Sequence, residues 1–243
     1  MKKILERVYK GEKSNFFKLI ENSLVSNKKM FIVTANPEIL MMSERDCDVF
    51  QMLTENETVI VADGIGVVKA CGMIMNDLVE RIAGVDTVME LLELGNKLHK
   101  HLFILGATES VLIKLRQVLI DQYPNIIIDG MINGYTEDKD AVFEEIKKKN
   151  SDIVLVALGV PKQEKLIFEH LSKFDKGIFI GIGGSLDVIS GSKKRAPKLF
   201  IKMNLEWLYR ILREPKRIKR FYESNVKFIF RLRNEIKGEK QND

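Results

Sequence analysis

Cysteine is scarce in this 243-residue chain: there are two, Cys47 and Cys71, in no spacing that suits a metal site or a redox motif. Two thiols without a framework suit a reducing compartment and imply no disulfide. Histidine is nearly as rare, and His99, His101 and His170 make no metal set; the His-x-His pair sits at a helix–strand junction, where a structural role is the simpler reading. Long apolar runs are missing too. The longest, VLVALGV at 154–160, is far short of a bilayer span. The opening MKKILERVYKGEKSNFF lacks the apolar centre of a signal peptide. The expectation is a chain that does not cross a membrane by itself.

What is present is the composition of a soluble globular protein, 45% hydrophobic and 30% charged, long enough for one large domain or one domain with an appendage. The net charge of +5 hides an asymmetry. Residues 193–243 hold 16 Lys and Arg against 6 Asp and Glu, while residues 1–192 hold 23 against 28. A mildly acidic body therefore carries a strongly basic C-terminal fifth, which points to an anionic partner. The only break in composition lies near GSKKRAPK (191–198), so the expected division is an α/β body over 1–192 and a helical basic appendage over 193–243.

Apolar runs at 30–35, 58–63, 101–107, 126–129, 152–159 and 177–184 read as strands, and their unbroken hydrophobicity fits parallel strands covered on both faces. Helical patterns fall between them at 14–27, 38–53, 66–78, 86–100, 108–122, 137–150 and 161–173, with Ser14, Asp86 and Thr108 as candidate N-caps. This alternation predicts an α/β, Rossmann-like fold with a mainly parallel sheet flanked by helices. In such sheets ligands sit beyond the carboxyl ends of the strands. Those ends read Thr34-Ala35-Asn36-Pro37, Asp63-Gly64-Ile65-Gly66, Gly106-Ala107-Thr108, Gly159 to Gln163 and Gly181 to Ser185. Any one of them is explained by the needs of a turn. Five together favour a ligand with phosphates, held by backbone and helix N-termini.

Asp63 is a candidate general base, rigidly mounted at a strand end; as a simple cap of the helix that follows, it is equally well explained. The glycines beside it are expected to leave room for substrate. Thr34 and Asn36 suit sugar hydroxyl or N-acetyl groups, although an Asn before Pro37 also shapes turns. Arg81 can clamp a phosphate or merely be solvated, and Gln163 can hydrogen-bond a substrate or lie on the surface of a first helical turn. Asp46-Cys47-Asp48 spells D-x-D, a metal-binding pattern of many glycosyltransferases, but it falls inside the 38–53 helical run. There its carboxylates are expected to splay apart on a solvated face, so no metal is implied. From Pro215 on, Ile218, Phe221, Tyr222, Val226, Ile229, Leu232 and Ile236 recur at helical spacing among Lys and Arg. That is the pattern of a helix lying on an anionic membrane surface. It competes with packing of the stripe on the body and with nucleic-acid binding. The apolar segment 66–78 is a candidate surface for a homo-oligomer and equally a core helix.

In order along the chain, TANPE (34–38), ADGIGVV (62–68), ERIAGVD (80–86), GVPKQE (159–164), GIGGSLDVISGSKKRAP (181–197) and LEWLYRILREPKRIKR (205–220) resemble the successive motifs of the WecG/TagA/CpsF glycosyltransferases, glycosyltransferase family 26. The likeness is greatest to the branch that makes the linkage unit of wall teichoic acid. It implies an inverting, metal-independent transfer of N-acetylmannosamine from UDP to undecaprenyl-diphosphate-GlcNAc, in β-1,4 linkage, by a peripheral protein on the cytoplasmic face of the membrane. No cofactor and no nucleic acid are implied. By motif, the resemblance makes Asp63 the base, places Thr34 and Asn36 in the sugar pocket, and sets Arg81 and Gln163 on the donor or leaving diphosphate. Asp187 is implied for the nucleobase or ribose, and Arg210, Arg217 and Arg220 for the diphosphate. Leu186 stands where many members have Phe. Competing expectations are another donor, UDP-glucose or UDP-N-acetylmannosaminuronic acid, and a nucleotide-binding protein whose basic tail contacts nucleic acid.

Overall fold

A computed structural model describes residues 1–75 and 77–239, and the side chains of Arg217, Arg220 and 235–239 fall outside that description. Six strands form the sheet: β1 Lys29–Ala35, β2 Thr58–Ala62, β3 His101–Gly106, β4 Ile127–Ile132, β5 Ile153–Ala157 and β6 Gly177–Gly181. Their spatial order is β2-β1-β6-β5-β3-β4, with every neighbouring pair parallel. The expected Rossmann-like α/β fold is the one found.

The continuous apolar runs are explained by two cores, one on each face of the sheet. Phe31, Val33, Phe103, Val154 and Phe179 point to one face. Ile32, Leu102, Ile104, Ile178 and Ile180 alternate with them and fill the other. Each such side chain, fully buried, contributes roughly 1.5–3 kcal/mol of hydrophobic free energy.

Several local expectations are corrected. β4 runs past the predicted end at Asp129, because a register shift opposite Leu102 and Phe103 makes Asp129 an extra residue. Its carboxylate then accepts from Ser151 Oγ and bonds His101 Nδ1, and Gly130 leaves space that a Cβ would contest with the Phe103 ring. The predicted helix 38–53 is two helices, Pro37–Ser43 and Cys47–Thr54. Asp46 caps the second, accepting from Asp48 N and Val49 N. The D-x-D carboxylates do not splay: Asp46 and Asp48 both reach Lys165 Nζ, at 2.9 and 2.8 Å. Thr108 caps its helix as expected. Ser14 does not, since its helix begins at Lys13 and its hydroxyl donates to Glu12. Asp86 lies inside the first turn of the Gly84–Lys97 helix, where it pairs with Lys13 and Arg195 instead of capping.

After Pro197 the chain is helical, in segments Lys198–Lys202, Glu206–Arg213, Arg217–Phe221, a π-helical turn Tyr222–Val226, and Lys227–Glu239. The apolar stripe of this region divides. Phe228 and Leu232 are buried in the core on the Phe31 face of the sheet, whereas Ile218, Tyr222, Ile229 and Phe230 remain exposed. Ile236 lies outside the described side chains. Among the described residues, no helix is long and apolar enough to cross a membrane. The 66–78 segment is mixed: in the Ile65–Met75 helix Val67, Ala70 and Cys71 are buried, while Met73 and the following Leu78 face outward.

Candidate active site

The carboxyl ends of β1, β2, β5 and β6 and the Glu206–Arg213 helix enclose a cleft of about 840 Å³, with an adjoining recess of about 210 Å³ against Asp63. That volume is in the range of sites that bury a small organic ligand. Thr34, Asn36, Asp63, Gln163, Asp187 and Arg210 all line the cleft, and Arg81 lines the recess. The side chains of Arg217 and Arg220 lie outside the described residues.

Asp63 follows β2 directly, and its N–H extends the ladder by donating to Ala35 O. Its side chain does not cap the helix that follows it in sequence. Oδ1 instead accepts from Gly84 N, 3.2 Å away, at the start of the Gly84–Lys97 helix. One oxygen is thus fixed by a helix N-terminus, and Oδ2 has no hydrogen bond among the described residues. The surrounding protein raises the carboxyl above its ordinary pKa, chiefly through burial, against the lowering effects of Arg81, Arg210 and the Gly84 N–H. The adjacent glycines also have a packing role. A Cβ on Gly66 would lie 2.9 Å from Pro37 Cγ, and one on Gly64 would lie 3.3 Å from Pro37 Cδ. Both admit the neighbouring Asn36-Pro37 turn, and Gly64 also lines the recess beside Asp63.

Thr34 packs beside Gly84, where a Cβ would meet its Oγ1 at 3.4 Å. Asn36 caps the Pro37–Ser43 helix: Oδ1 accepts from Ile39 N, which leaves its amide N–H groups for a ligand. Gln163 is buried, not a surface residue. Its Oε1 accepts from Gly159 N and Gly183 N, each at 3.0 Å, and so joins the loops after β5 and β6. Its Nε2 donates to Glu164 Oε1 at 2.7 Å. Gly159 and Gly183 have φ of +82° and +47°, a backbone state that suits glycine, and both N–H groups meet on Gln163 Oε1. Most of Gln163 is therefore spent on the walls of the cleft.

Arg81 is not a solvated arginine. Nε donates to the Asp63 carbonyl at 2.6 Å, and Nη2 donates to Glu206 Oε2 at 3.0 Å. Arg210 Nη2 reaches the other oxygen of Glu206, also at 3.0 Å. Burial pushes the Glu206 carboxyl up, but Arg210 and Arg81 outweigh it and hold it below its usual range. Sequence reasoning missed Glu206, although its place four residues before Arg210 in a helical motif is a legible ion-pair spacing. Glu164 was missed as well, because nothing local marks a first-turn Glu as buried. Trp207, which stacks on Phe221 with centroids 4.5 Å apart, also lines the cleft. No group of three or more His, Cys, Asp or Glu among the described residues is placed to hold a metal ion.

The assembled chemistry is one carboxylate, one of whose oxygens has no hydrogen bond among the described residues, with two arginines beside it. Such a site can accept a proton from a hydroxyl while holding an anionic leaving group. Residues 4–242 match the profile of the "Glycosyl transferase WecG/TagA/CpsF family". A protein of Bacillus subtilis (strain 168), named N-acetylglucosaminyldiphosphoundecaprenol N-acetyl-beta-D-mannosaminyltransferase, is 40% identical over 228 residues, covering 93% of this chain and 88% of its own. Proteins of the same name from Staphylococcus aureus strains MW2 and N315 are each 40% identical over 208 residues, covering 85% of this chain and 81% of their own.

Proposed function

Because this chain belongs to the WecG/TagA/CpsF glycosyltransferase family, we propose that it moves N-acetylmannosamine from UDP to the GlcNAc hydroxyl of a polyprenyl-diphosphate-linked acceptor, with inversion and without a metal. The observation that carries this reading is the Asp63 carboxylate, fixed through Oδ1 by Gly84 N and lining the recess together with Arg81 and Arg210. In the proposed reaction Oδ2 takes the acceptor hydroxyl proton as that oxygen attacks the anomeric carbon. The bond from that carbon to the β-phosphate oxygen breaks, and UDP leaves with the electron pair. One base on the acceptor side suffices for a single displacement, which is why inversion is expected. Arg210, on the wall of the cleft, is assigned to the anionic diphosphate. Thr34 and the Asn36 amide are assigned to the sugar, and Asp187 to the ribose or base.

The test is turnover of UDP-N-acetylmannosamine with a short-chain polyprenyl-diphosphate-GlcNAc in EDTA. Transfer is expected, with inverted anomeric configuration; activity restored only by a divalent ion would reject the metal-free mechanism. Asp63→Asn is expected to lose at least 100-fold in kcat, a typical contribution of general-base catalysis, with UDP affinity retained. Near-normal activity would make Asp63 a structural carboxylate only. A second donor reading has one observation behind it: Lys194 lines the cleft beside Lys193, which pairs with Glu214 at 3.1 Å, and is a cation that a uronate sugar could use. Comparison of UDP-N-acetylmannosamine, its uronic acid and UDP-glucose as donors separates these readings. Work at the cytoplasmic membrane face is supported by the exposed Ile218, Tyr222, Ile229 and Phe230 amid Lys and Arg.

A further inference from the structure

The geometry points to Glu206 as a positioning residue: docked through the Glu206–Arg213 helix, it draws the Arg81 guanidinium off the Asp63 carboxylate and so keeps Asp63 available as a proton acceptor. This inference rests on Asp63 being the base.

Arg81 is anchored beside Asp63 by its own Nε, which donates to the Asp63 backbone carbonyl at 2.6 Å. From that anchor, Nη2 has two carboxylates within reach. It sits 3.0 Å from Glu206 Oε2, a hydrogen-bonded ion pair, and 3.9 Å from Asp63 Oδ1, beyond hydrogen-bonding distance. Glu206 has the stronger claim because its side chain is 6% exposed and is held from the other side by Arg210, at 3.0 Å. Take Glu206 away, and a shift of about 1 Å brings Nη2 into a direct charge-assisted bond with Asp63. An arginine that close stabilises the ionised carboxylate and makes it a weaker base.

The charged side chains that line the recess with Asp63 are Glu38 on the Pro37–Ser43 helix, Arg81, and Glu206 with Arg210 on the Glu206–Arg213 helix. Removal of Glu206 takes away the anion nearest to Arg81 and leaves both cations facing Asp63. All the changes thus act on Asp63 in one direction. The proton-accepting group on the body is therefore set by a carboxylate delivered from the C-terminal region, and the body alone holds it in a different electrostatic state.

The experiment is the pH dependence of kcat/KM for the full-length wild-type enzyme, Glu206→Gln and Glu206→Gln/Arg81→Ala, with UDP-N-acetylmannosamine and the short-chain acceptor. For Glu206→Gln the acid limb is expected to move down by about one pH unit, as a newly paired carboxylate does. Its plateau kcat is expected to fall about three- to tenfold as the base weakens, with KM for the donor within about threefold of wild type. With Arg81 also removed, the downward movement of the limb is abolished. Loss of activity equal at every pH, with an unmoved limb, overturns the inference and leaves Glu206 as a docking contact. Should Glu206→Gln not fold, Glu206→Asp is read instead: its shorter side chain lengthens the Arg81 contact, so the limb must move the same way by less, and an unmoved limb overturns the inference. Asp63→Asn in the same series separates the two levels. If it keeps its activity, the base assignment fails; if it is inactive while Glu206→Gln leaves the limb in place, only the role of Glu206 fails.

Discussion

Gln163 and Glu164 illustrate how far a residue's role depends on neighbours remote in sequence. The resemblance directed Gln163 at a substrate, yet its amide oxygen holds Gly159 N and Gly183 N, so it first shapes the cleft. Gln163→Ala removes the bridge between these two half-buried N–H groups of the cleft wall; a raised donor KM and a lower Tm are expected together, measured by steady-state kinetics and calorimetry. Glu164 is pushed up to about 7 by burial, against the bond from Gln163 Nε2. Its folded pKa lies above the unfolded value of 4.5, so the folded state binds the extra proton. The associated stability is fully present below pH 4.5 and is lost as pH rises towards 7, an effect of up to about 3 kcal/mol. Glu164→Gln is expected to flatten that stretch of the stability–pH curve in denaturant titrations; an unchanged slope rules this out. Asp63 was legible as a strand-end carboxylate. That Gly84 fixes it was not, because a bond spanning 21 residues leaves no local pattern.

At the scale of elements, periodicity located all six strands because burial on both faces demands unbroken apolar runs. It failed where polar residues serve tertiary ends. Asp129 and Gly130 read as a strand terminus, but the carboxylate is bound by His101 and Ser151, and the missing Cβ makes way for Phe103. Asp46-Cys47-Asp48 read as mid-helix because the apolar pattern continues across the break; Lys165, which gathers both carboxylates, is more than a hundred residues away in sequence. The Gly66–Pro37 contact also joins separate elements. Gly66→Ala places a Cβ 2.9 Å from Pro37 Cγ, so the Ile65–Met75 helix or the Asn36-Pro37 turn must yield. The expected cost is about 1–3 kcal/mol, seen as a lower Tm, with reduced kcat because both flank Asp63. Unchanged stability would show that the turn yields freely.

For the whole molecule, the charge split and the divided apolar stripe belong together. Phe228 and Leu232 hold the C-terminal helices on the body, and the outward Ile229 and Phe230 share the longest of these helices with them. Binding to vesicles rich in anionic lipid is expected to weaken as KCl rises, since screening shortens the reach of the basic residues. Lys216→Glu/Lys219→Glu is expected to weaken it at low salt by about two orders of magnitude or more, from about 1 kcal/mol per basic residue and the added repulsion. Cosedimentation checks both, and stronger retention by oligonucleotides than by vesicles would count against the membrane reading. The surplus of Lys and Arg was legible by counting; the division of the stripe was not, because helical spacing gives the apolar face of one helix and not the surface that covers it.

Trp207 gives the cleft an optical property of its own. It is the chain's single tryptophan, it is stacked on Phe221, and it borders the same cavity as Asp63 and Arg210. The indole emission of the unlabelled protein therefore comes from one place. Any ligand that enters the recess, or any displacement of the ring from Phe221, changes the only such signal the protein emits, so occupancy of the site can be followed by its native fluorescence in real time.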